Sequence, residues 1–587
     1  MAIEDLADKV LDIGRRRGFF WPAFEIYGGV AGFYDLGPYG ALLKQNIIEE
    51  WRRHFIKRYP DLIVEIETPV ITPEKVFIAS GHVENFVDPI VGCKKCGRFF
   101  RADQLIEEKL GVKAEGKSVE ELTDIIYKSG LRCPVCGGEL GEVRLFNLLF
   151  RTQIGPYQGS VGFFRPEAAQ GMFISFKRVH QVMRNKLPIG IAQIGRVARN
   201  EISPRQGLIR LREFTIMEFE FFFDQNEPGA DEYIDKVRNE KLPLITANMR
   251  REKIEEPQSF TIDEALMQGV IKTPWMAFWM YESMLFLEKI GVPRTNVAFE
   301  EKLPEERAHY SRQTFDQLVK TARWGWIEVA GHAYRGDYDL SRHMQFSGED
   351  LTVRKQLREP VERRTLVVRL NKAALGRELK DKLDSIQQQI KSMSPEVLKR
   401  ELDEKGFIEV SGVRLSRNHL IIEEVVEKVA TISVTPHVVE PSFGSERLLY
   451  VAMEYALREK QGRLILSFPR RIAPVKVAVF PLVDNEKIVG MAKRIYDMLK
   501  ETDLMVTYDD SGSIGRRYAR ADEVGVPVCV TIDYQSLTDG TVTLRDRDSW
   551  KQVRVHVDKL VESLRRFIYD NVEIEELGPI FFSEEKE

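Results

Sequence analysis

Apolar residues recur at helical spacing through GALLKQNIIEEWRRHFIKRY (Gly40–Tyr59), and Pro60 and Asp61 end the run. The next stretch, LIVEIETPVI (Leu62–Ile71), alternates and is rich in β-branched residues, which predicts a strand. Pro69 has no amide donor, so it belongs at an edge or an interface. A long helix followed by such a strand suits a self-association unit, and equally an ordinary helix–strand unit. Further on, IGIAQIGRVARNE (Ile189–Glu201) and REFTIMEFEFFF (Arg212–Phe223) predict a β-hairpin around a loop carrying Arg205, Arg210 and Arg212. Side chains alternate across a strand. Gln193, Gly195, Val197, Arg199 and Glu201 therefore share one face of the first strand. Arg212, Phe214, Ile216, Glu218 and Glu220 share a face of the second. Met217, Phe219, Phe221 and Phe223 form the core side, which leaves the charges on the non-core surface.

Two regions carry few chemical cues. Residues from about Asn226 to Gly291 give mixed helical signals, and those from about Gly348 to Lys428 are charge-rich. Within the second, GRELKDKLDSIQQQIKSM (Gly376–Met393) reads as a solvated helix of mixed charge. Both regions are expected to be insertions. Beyond PRRIAPVKVAVFPL the pattern changes: KVAVFPL, NEKIVGMAKRIYDMLKE, MVTYDD, SIGRRYARADEVG and VPVCVTID alternate strand and helix. This predicts a separate α/β domain around a partly parallel sheet, with its boundary near Arg471–Pro474. The final NVEIEELGPIFFSEEKE is an acidic tail with one apolar patch.

The 587 residues imply two or more domains. With 43% hydrophobic and 30% charged residues the composition is globular. The net charge of −4 means that a nucleic-acid partner must be met by local basic patches. No apolar run approaches the ~18–20 residues that span a bilayer. MAIEDLADKV lacks the apolar core of a signal peptide, so the expected location is cytoplasmic, with no membrane partner.

Four of the five cysteines form two CxxC pairs, Cys93–Cys96 and Cys133–Cys136, each followed by glycine. Two such knuckles supply the four soft ligands that Zn²⁺ takes in a closed structural site. The gap between the pairs is longer than a zinc ribbon needs. SVEELTDIIYKSG (Ser118–Gly130), with a capping box at Ser118 and Glu121, predicts a helix inside it. Four free thiols, or a redox pair, are the competing readings.

On the hairpin, Phe214 and Glu218 lie four residues apart, about 13 Å at ~3.3 Å per residue. That spans a nucleotide with a small group attached. The suggested chemistry is a phosphate held by Arg199, a base stacked on Phe214 and a cation held by Glu218. Arginine suits the phosphate through its bidentate fork. A solvated face with cross-strand ion pairs is the alternative.

RNEISPRQGLIRLREFTIMEFE resembles motif 2 of class II aminoacyl-tRNA synthetases, and in detail that of the glycyl-tRNA synthetases. The helix with EIETPVI looks like motif 1, the dimer element, and EPSFGSERLLYVAMEY (Glu440–Tyr455) like motif 3. IYGGVAGFYDLGPYGALLKQN, ASGHVENF, FRAD, FNLLF, RPEAAQGMF, AHYSRQTFD, GDYDLSRHM and GRRYARADEVGVP also match, and the ordered set covers most of the chain outside the two insertions. The resemblance implies an α+β fold. Its catalytic core is an antiparallel sheet with flanking helices, interrupted by a zinc-binding insertion and helical insertions, and followed by a C-terminal α/β anticodon-binding domain. The implied partition is a core in 1–90, 141–224, 292–347 and 429–471. The zinc insertion takes 91–140 and the other insertions 225–291 and 348–428. The anticodon domain takes 472–570 and the tail 571–587.

The implied reaction joins glycine to ATP, giving glycyl-adenylate and pyrophosphate, and then passes the glycyl group to the 3′ end of tRNA(Gly). The implied assembly is a homodimer, and the cofactors are Mg²⁺ with ATP and a structural Zn²⁺. Carried over residue by residue, Arg199 grips the α-phosphate, and Arg447 faces Phe214 across adenine near the γ-phosphate. Asn200, Glu201, Ile209, Arg210, Leu211, Arg212 and Glu213 line ATP, as do Val329 and Gly444, and Glu328 holds it through Mg²⁺. Glu167, Glu218 and Glu440 surround the glycine ammonium beside Phe214. Ser442 presses on the α-carbon, so that a methyl clashes. Arg101 reaches the glycine carboxylate or the tRNA end. Glu446, within FGSER, departs from the small or glycine-rich pair usual before the motif 3 arginine. For tRNA, the basic clusters are Arg470 and Arg471 at the domain junction and Arg516, Arg517 and Arg520 opening a C-terminal helix. Arg516 and Arg520 share a face of that helix.

Overall fold

The computed structural model describes residues 3–156, 159–202, 204, 206–371, 374–375 and 383–581. Arg205, residues 376–382 of the expected charged helix and residues 582–587 of the tail lie outside it. The described chain divides into two compact units, 1–351 with 436–587, and 352–435.

The first unit is built on a nine-stranded sheet. In chain order its strands are β1 Ile63–Glu65, β2 Ile189–Ala198, β3 Glu213–Phe223, β4 Lys241–Ile245, β5 Gln258–Thr261, β6 Val297–Glu301, β7 Gln313–Thr321, β8 Gly325–Gly336 and β9 His437–Gly444. Their spatial order is β5-β4-β6-β7-β8-β9-β3-β2-β1. All neighbours are antiparallel except β2 with β1 and β4 with β6. The predicted hairpin is β2–β3, with Gln193 opposite Glu218 and Val197 opposite Phe214.

One face of β3 is the core the alternation predicts: Met217, Phe219 and Phe221 are fully buried. Helix α1, Pro38–Trp51, begins at a proline, whose missing N–H costs nothing there. The chain then continues as a wider helical turn over Arg52–Lys57. Trp51 and Phe55, with ring centroids 5.3 Å apart, pack on Phe219. The strand expected over Leu62–Ile71 is interrupted: β1 ends at Glu65, and Ile71–Pro73 joins a separate three-stranded sheet. Between them lies Pro69; Ile66 N still donates to Ala192 O of β2 at 2.8 Å, and beyond it the main chain is held by Arg165, whose Nη1 donates to Thr68 O and whose N donates to Val70 O, at 3.0 Å each.

The other face of β3 corrects the expectation. Glu218 and Glu220 are 0% exposed, so they line a second interior and not a solvated surface. Helix α2, Ala169–Val182, covers it, with Phe176 stacked on Phe222 at 4.3 Å.

Residues 225–291 are not an appended insertion. They supply β4 and β5 to the main sheet and helix α3, Pro274–Lys289, to its core. Helix α3 is apolar on nearly every side, and such a helix is buried. Trp279 meets Phe219, Phe221 and Tyr59 at 5.0, 5.2 and 5.4 Å. Helix α4, Tyr338–Ser347, follows β8, and helix α5, Ser445–Ala456, follows β9.

The C-terminal domain has the expected α/β form. Its strands are β10 Val477–Pro481, β11 Val506–Tyr508, β12 Val528–Ile532, β13 Thr541–Asp546 and β14 Gln552–His556, in the order β11-β10-β12-β13-β14. The first three are parallel and the last two antiparallel. Helices α6 Glu486–Lys500, α7 Ile514–Val524 and α8 Leu560–Tyr569 flank them. Asn46 of α1 donates to Ala473 O at 2.8 Å, tying this domain's leading segment to the core. The expected tail is partly docked: Ile574 is buried in the domain's core and Ile580 bridges to Val553.

The second unit begins and ends a few residues later than the expected 348–428 insertion. It is an antiparallel ribbon of Val353–Leu370 against Leu420–Val434, with helices Leu383–Ser392 and Pro395–Lys405 and a short hairpin. The first helix is not solvated all round, since Ile386 and Ile390 enter a core with Leu398, Ile408 and Leu415. Among the described residues no helix is long and apolar enough to cross a membrane.

Trp279→Ala should cost about 3–5 kcal/mol of stability, the range for deleting a buried aromatic. Urea denaturation followed by circular dichroism reads this as a lower midpoint. An unchanged midpoint would contradict the placement of α3 in the core.

Candidate functional site

A cavity of ≈ 260 Å³ opens where β3, β8 and β9 lie side by side. One end carries arginines and an aromatic ring, interleaved with acids. The Arg199 guanidinium sits 5.5 Å from the Phe214 ring, and its Nε donates to Pro166 O at 3.1 Å. Arg447, in the first turn of α5, donates through Nε to Ile209 O at 2.7 Å and through Nη1 to Glu328 O at 2.7 Å and Oε2 at 3.1 Å. Glu201 lines the same cavity and accepts from Arg210 Nε at 2.7 Å. Asp316 on β7 is pushed up to about 7 by burial and by Glu328, although Lys302 Nζ lies 2.8 Å away.

The other end is acidic. Ser442 on β9 is opposite Glu218 on β3, and its hydroxyl donates to Glu218 Oε2 at 2.8 Å. Glu218 Oε1 accepts from Ala168 N at 2.5 Å. Glu167 and Glu440 complete the lining. These carboxylates do not wait for a substrate to relieve their repulsion. Arg335, fully buried on β8, donates through Nε to Glu440 at 2.8 Å and through Nη2 to Glu167 at 3.0 Å. Its Nη1 faces Asp339 at 3.2 and 3.3 Å, and its guanidinium lies 3.7 Å over the Tyr310 ring. His82 Nε2 adds a contact to Glu167 at 3.3 Å.

Burial acts to raise Glu167, but Arg335 and His82 outweigh it and hold the carboxyl well below its usual range. Glu218 is raised by burial and by Glu167. Glu440 is pushed up to about 8, because burial and Glu218 together exceed the pull of Arg335. One guanidinium thus fixes which of its neighbours is readily ionised.

Several of the predicted residues stand outside the cavity lining. Arg101 does not line the cavity; it is held by Asp103, with Nε 2.9 Å from Oδ1, and by Asp88 at 3.4 Å. Glu213 is exposed and paired with Arg196 at 2.7 Å. Arg212 turns to main-chain oxygens of Glu201 and Ala31, and Asn200 contributes its backbone N–H to Leu148 O. These three are also absent from the lining, whereas Ile209, Leu211, Val329 and Gly444 are in it. Glu446 is buried, its carboxylate accepting from Thr215 N and Ser445 Oγ at 2.9 Å each and facing Lys44 and Arg196 at 3.4 Å. That accounts for a carboxylate beside the motif 3 arginine. Sequence reasoning missed Arg335 and His82. The signal for Arg335 was a lone charge in the otherwise apolar VAGHAYRG.

The cysteines converge as expected. All four Sγ atoms lie within 4.8 Å of one another, with Cys93–Cys136 at 3.5 Å and Cys96–Cys133 at 3.8 Å. A tetrahedron with Zn–S bonds of ~2.3 Å has edges of ~3.8 Å, so the donor set fits Zn²⁺. Gly97 and Gly137 adopt φ of 68° and 67°, which glycine takes without strain, at the turn of each knuckle. The predicted helix, Val119–Ser129, carries its Ser118–Glu121 capping box.

The C-terminal arginines are largely committed to the fold. Arg517 is buried and donates to Gly512 O at 2.7 Å, Asp510 O at 2.9 Å and Pro481 O. Arg520 pairs with Asp509 at 2.6 Å, leaving Arg516 as the exposed member of the trio. Arg470 lies 3.6 Å over the Phe567 ring and donates to Phe567 O, and Arg471 donates to Tyr569 O.

Residues 476–567 match the model of an anticodon binding domain. The glycine-tRNA ligase of Aeropyrum pernix is 59% identical over 98% of this chain and 99% of its own. The chain belongs to the glycine-tRNA ligase family. Members from Pyrococcus horikoshii and Methanocaldococcus jannaschii are 48% and 44% identical, each over 96% of this chain. The solved prolyl-tRNA synthetase of Giardia lamblia, in complex with prolyl-adenylate, is 14% identical. It aligns with a TM-score of 0.51 over 95% of this chain and 75% of its own, a likeness of fold.

Metal analysis of untagged protein should return about one zinc per chain. Cys133→Ser should release it and expose the 87–147 region to proteolysis, with the main sheet intact. Metal-free protein with four titratable thiols and an unchanged digestion pattern would remove the assignment.

Proposed function

We propose that this chain joins glycine to tRNA(Gly), forming glycyl-adenylate from glycine and ATP and then passing the glycyl group to the tRNA 3′ end. The observation that carries the reading is the polarity of one small cavity. Arg199, Phe214 and Arg447 stand at one end, and Glu167, Glu218, Glu440 and Ser442 at the other. A nucleotide triphosphate suits the first end. The adenine stacks between Phe214 and Arg447, and the Arg199 fork takes the α-phosphate. An ammonium group suits the second, where Glu218 already has one oxygen bonded by Ser442 and the other by Ala168 N, fixing its direction.

With its ammonium held there, the glycine carboxylate points back toward the α-phosphate and attacks it. Pyrophosphate leaves. Arg199 and Arg447 stabilise the charge that develops, so the rate rests on positioning and electrostatics, with no proton abstracted from glycine by a protein base. Glu328 presents its carboxylate toward the cleft beside Arg447, a hard oxygen donor of the kind Mg²⁺ shares with phosphates. Bound there with ATP, Mg²⁺ supplies further neutralisation of phosphate charge. The four-cysteine centre holds structural Zn²⁺. The C-terminal domain takes the anticodon arm, with Arg516 as the arginine of its trio free to meet phosphate. Pairing of two chains through α1 and the strand segments after it, in the cytoplasm, completes the reading.

Selection of glycine follows from crowding. Lost contacts alone separate a methyl from hydrogen by only ~1–3 kcal/mol. Ser442, bonded to Glu218, occupies the side on which an α-methyl would project, so larger amino acids meet a fixed group.

Pyrophosphate exchange should proceed with glycine and run roughly a hundredfold slower with alanine. Glu218→Gln should raise the KM for glycine with the KM for ATP little changed; a pure ATP defect would reverse the two ends of the cavity.

A pH dependence follows from Glu440. Its pKa in the empty site is about 8, and the ammonium needs it ionised. Below that pH, binding must first remove a proton, so affinity rises with pH and levels off above the pKa. The KM for glycine should therefore fall between about pH 6.5 and about pH 8.5. A KM for glycine that is flat over the range would mean that Glu440 is already ionised in the empty pocket.

A further inference from the structure

Glu220 has no role in the substrate contacts above, and its surroundings are unusual. It lies on β3 two residues beyond Glu218, on the same face, and is 0% exposed. Neither of its carboxyl oxygens has a hydrogen-bond partner among the described residues. The nearest cation is Arg335, whose Nε is 3.9 Å from Glu220 Oε2, beyond hydrogen-bonding reach. The guanidinium has no N–H to spare. It carries five, and Nε faces Glu440, Nη2 faces Glu167 and Glu440, and Nη1 faces both oxygens of Asp339.

The groups around Glu220 come from every element packed on this face. Glu218 lies on its own strand, Glu440 on β9, Arg335 on β8 and Asp339 on α4. Glu167 and Tyr310 flank Arg335. Helix α4 also brings His343, which bonds Gln170 of α2. Helix α2 adds Phe173 and Phe176, with His180 stacked on the latter. One arginine therefore faces several carboxyl groups, and the one it does not bond is also sealed from water. A carboxylate in that position has neither solvent nor donor, and a carboxyl avoids this state by keeping its proton.

We propose that Glu220 is a positioning residue of the glycine pocket that acts as a neutral, protonated acid. By holding its proton it leaves every N–H of Arg335 to Glu167, Glu440 and Asp339, and so keeps Glu167 and Glu440 aimed at the substrate ammonium. This role rests on the glycine reading of the site. Burial first, and then Glu440, hold the acid well above the ordinary carboxylate range. An ionised Glu220 would draw Arg335 away from Glu440 and slacken the pocket wall. The position needs side-chain length without charge.

Glu220→Gln and Glu220→Met keep length and remove the possibility of charge. Both should leave the KM for glycine within about threefold of wild type, since a polar group that makes no bond is replaced at little cost. The kcat and the KM for ATP should not move. Glu440→Gln, which cannot supply the negative charge that the ammonium needs, should raise the glycine KM at least about tenfold. Calorimetry of glycine binding in buffers of different ionisation enthalpy should give the same proton count for wild type and Glu220→Gln. A neutral variant that loses glycine as badly as Glu440→Gln, or a changed proton count, would overturn the proposal. Failure of both neutral variants to fold would overturn it too, because neutrality at this length is what the position is said to need. Wild-type protein that does not use glycine at all would refute the reading of the site. Wild-type protein active on glycine beside an inactive Glu220→Gln would refute only the role of Glu220.

Discussion

A guanidinium with no exposed surface organises the acidic half of this protein. Arg335 enters the interior on β8 and bonds carboxylates from β9, from α4 and from the segment before α2. Removing such a cation would leave buried negative charges uncompensated, which is far costlier than the pair is worth in isolation. Its partners come from separate stretches of chain, so the pocket is assembled only when β8, β9, α2 and α4 are all in place. The acidic floor is therefore a consequence of the tertiary fold, and binding there reports on the whole sheet.

The same sheet has two interiors, and each supports the other. Behind β3, the aromatic layer of Trp51, Phe55, Phe219 and Trp279 is continuous and apolar. In front, alternate residues of the same strand carry the acids. A slip of one residue in the β2–β3 register would exchange the two faces and put Glu218 among the tryptophans. Ten paired positions and the bulky apolar face make that slip prohibitive. The chemistry is thus positioned by the hydrophobic effect acting on residues that never touch substrate.

Much of this was legible in the sequence because it follows from period two and short motifs. The faces of β3, the position of Phe214 and Glu218 on one of them, and the converging cysteines needed no tertiary knowledge. What was illegible depended on neighbours far away in the chain. Glu220 reads as a solvated acid until α2 covers it. Helix α3 has apolar residues on nearly all sides, so it lacks the one-sided pattern that marks a helix on a core. That is why 225–291 looked like an insertion. Arg517 reads as a free cation, yet its donors go to the main-chain oxygens of Asp510, Gly512 and Pro481, partners that no sequence pattern announces. Arg101 likewise reads as a free fork, yet Asp103 two residues on holds it.

The polarity of the cavity has a consequence for how a reaction is ordered within it. Phe214 and Glu218 are separated by about 13 Å of extended strand. On the proposed reading phosphate is taken by the end that carries Arg199 and Arg447, and the ammonium by the end that carries Glu167, Glu218 and Glu440, so each substrate has its own end. A small zwitterion bound by its ammonium must direct its carboxylate toward the basic end, because the acids behind it exclude the opposite orientation. Attack geometry is then set by charge placement before any group moves. A longer amino acid bound the same way would have to project from its α-carbon against Ser442, whose hydroxyl is tied to Glu218. On the proposed reading, the bond that orients the ammonium acceptor is also the bond that stiffens the steric barrier, so that selection and orientation would come from one pair of side chains on β3 and β9.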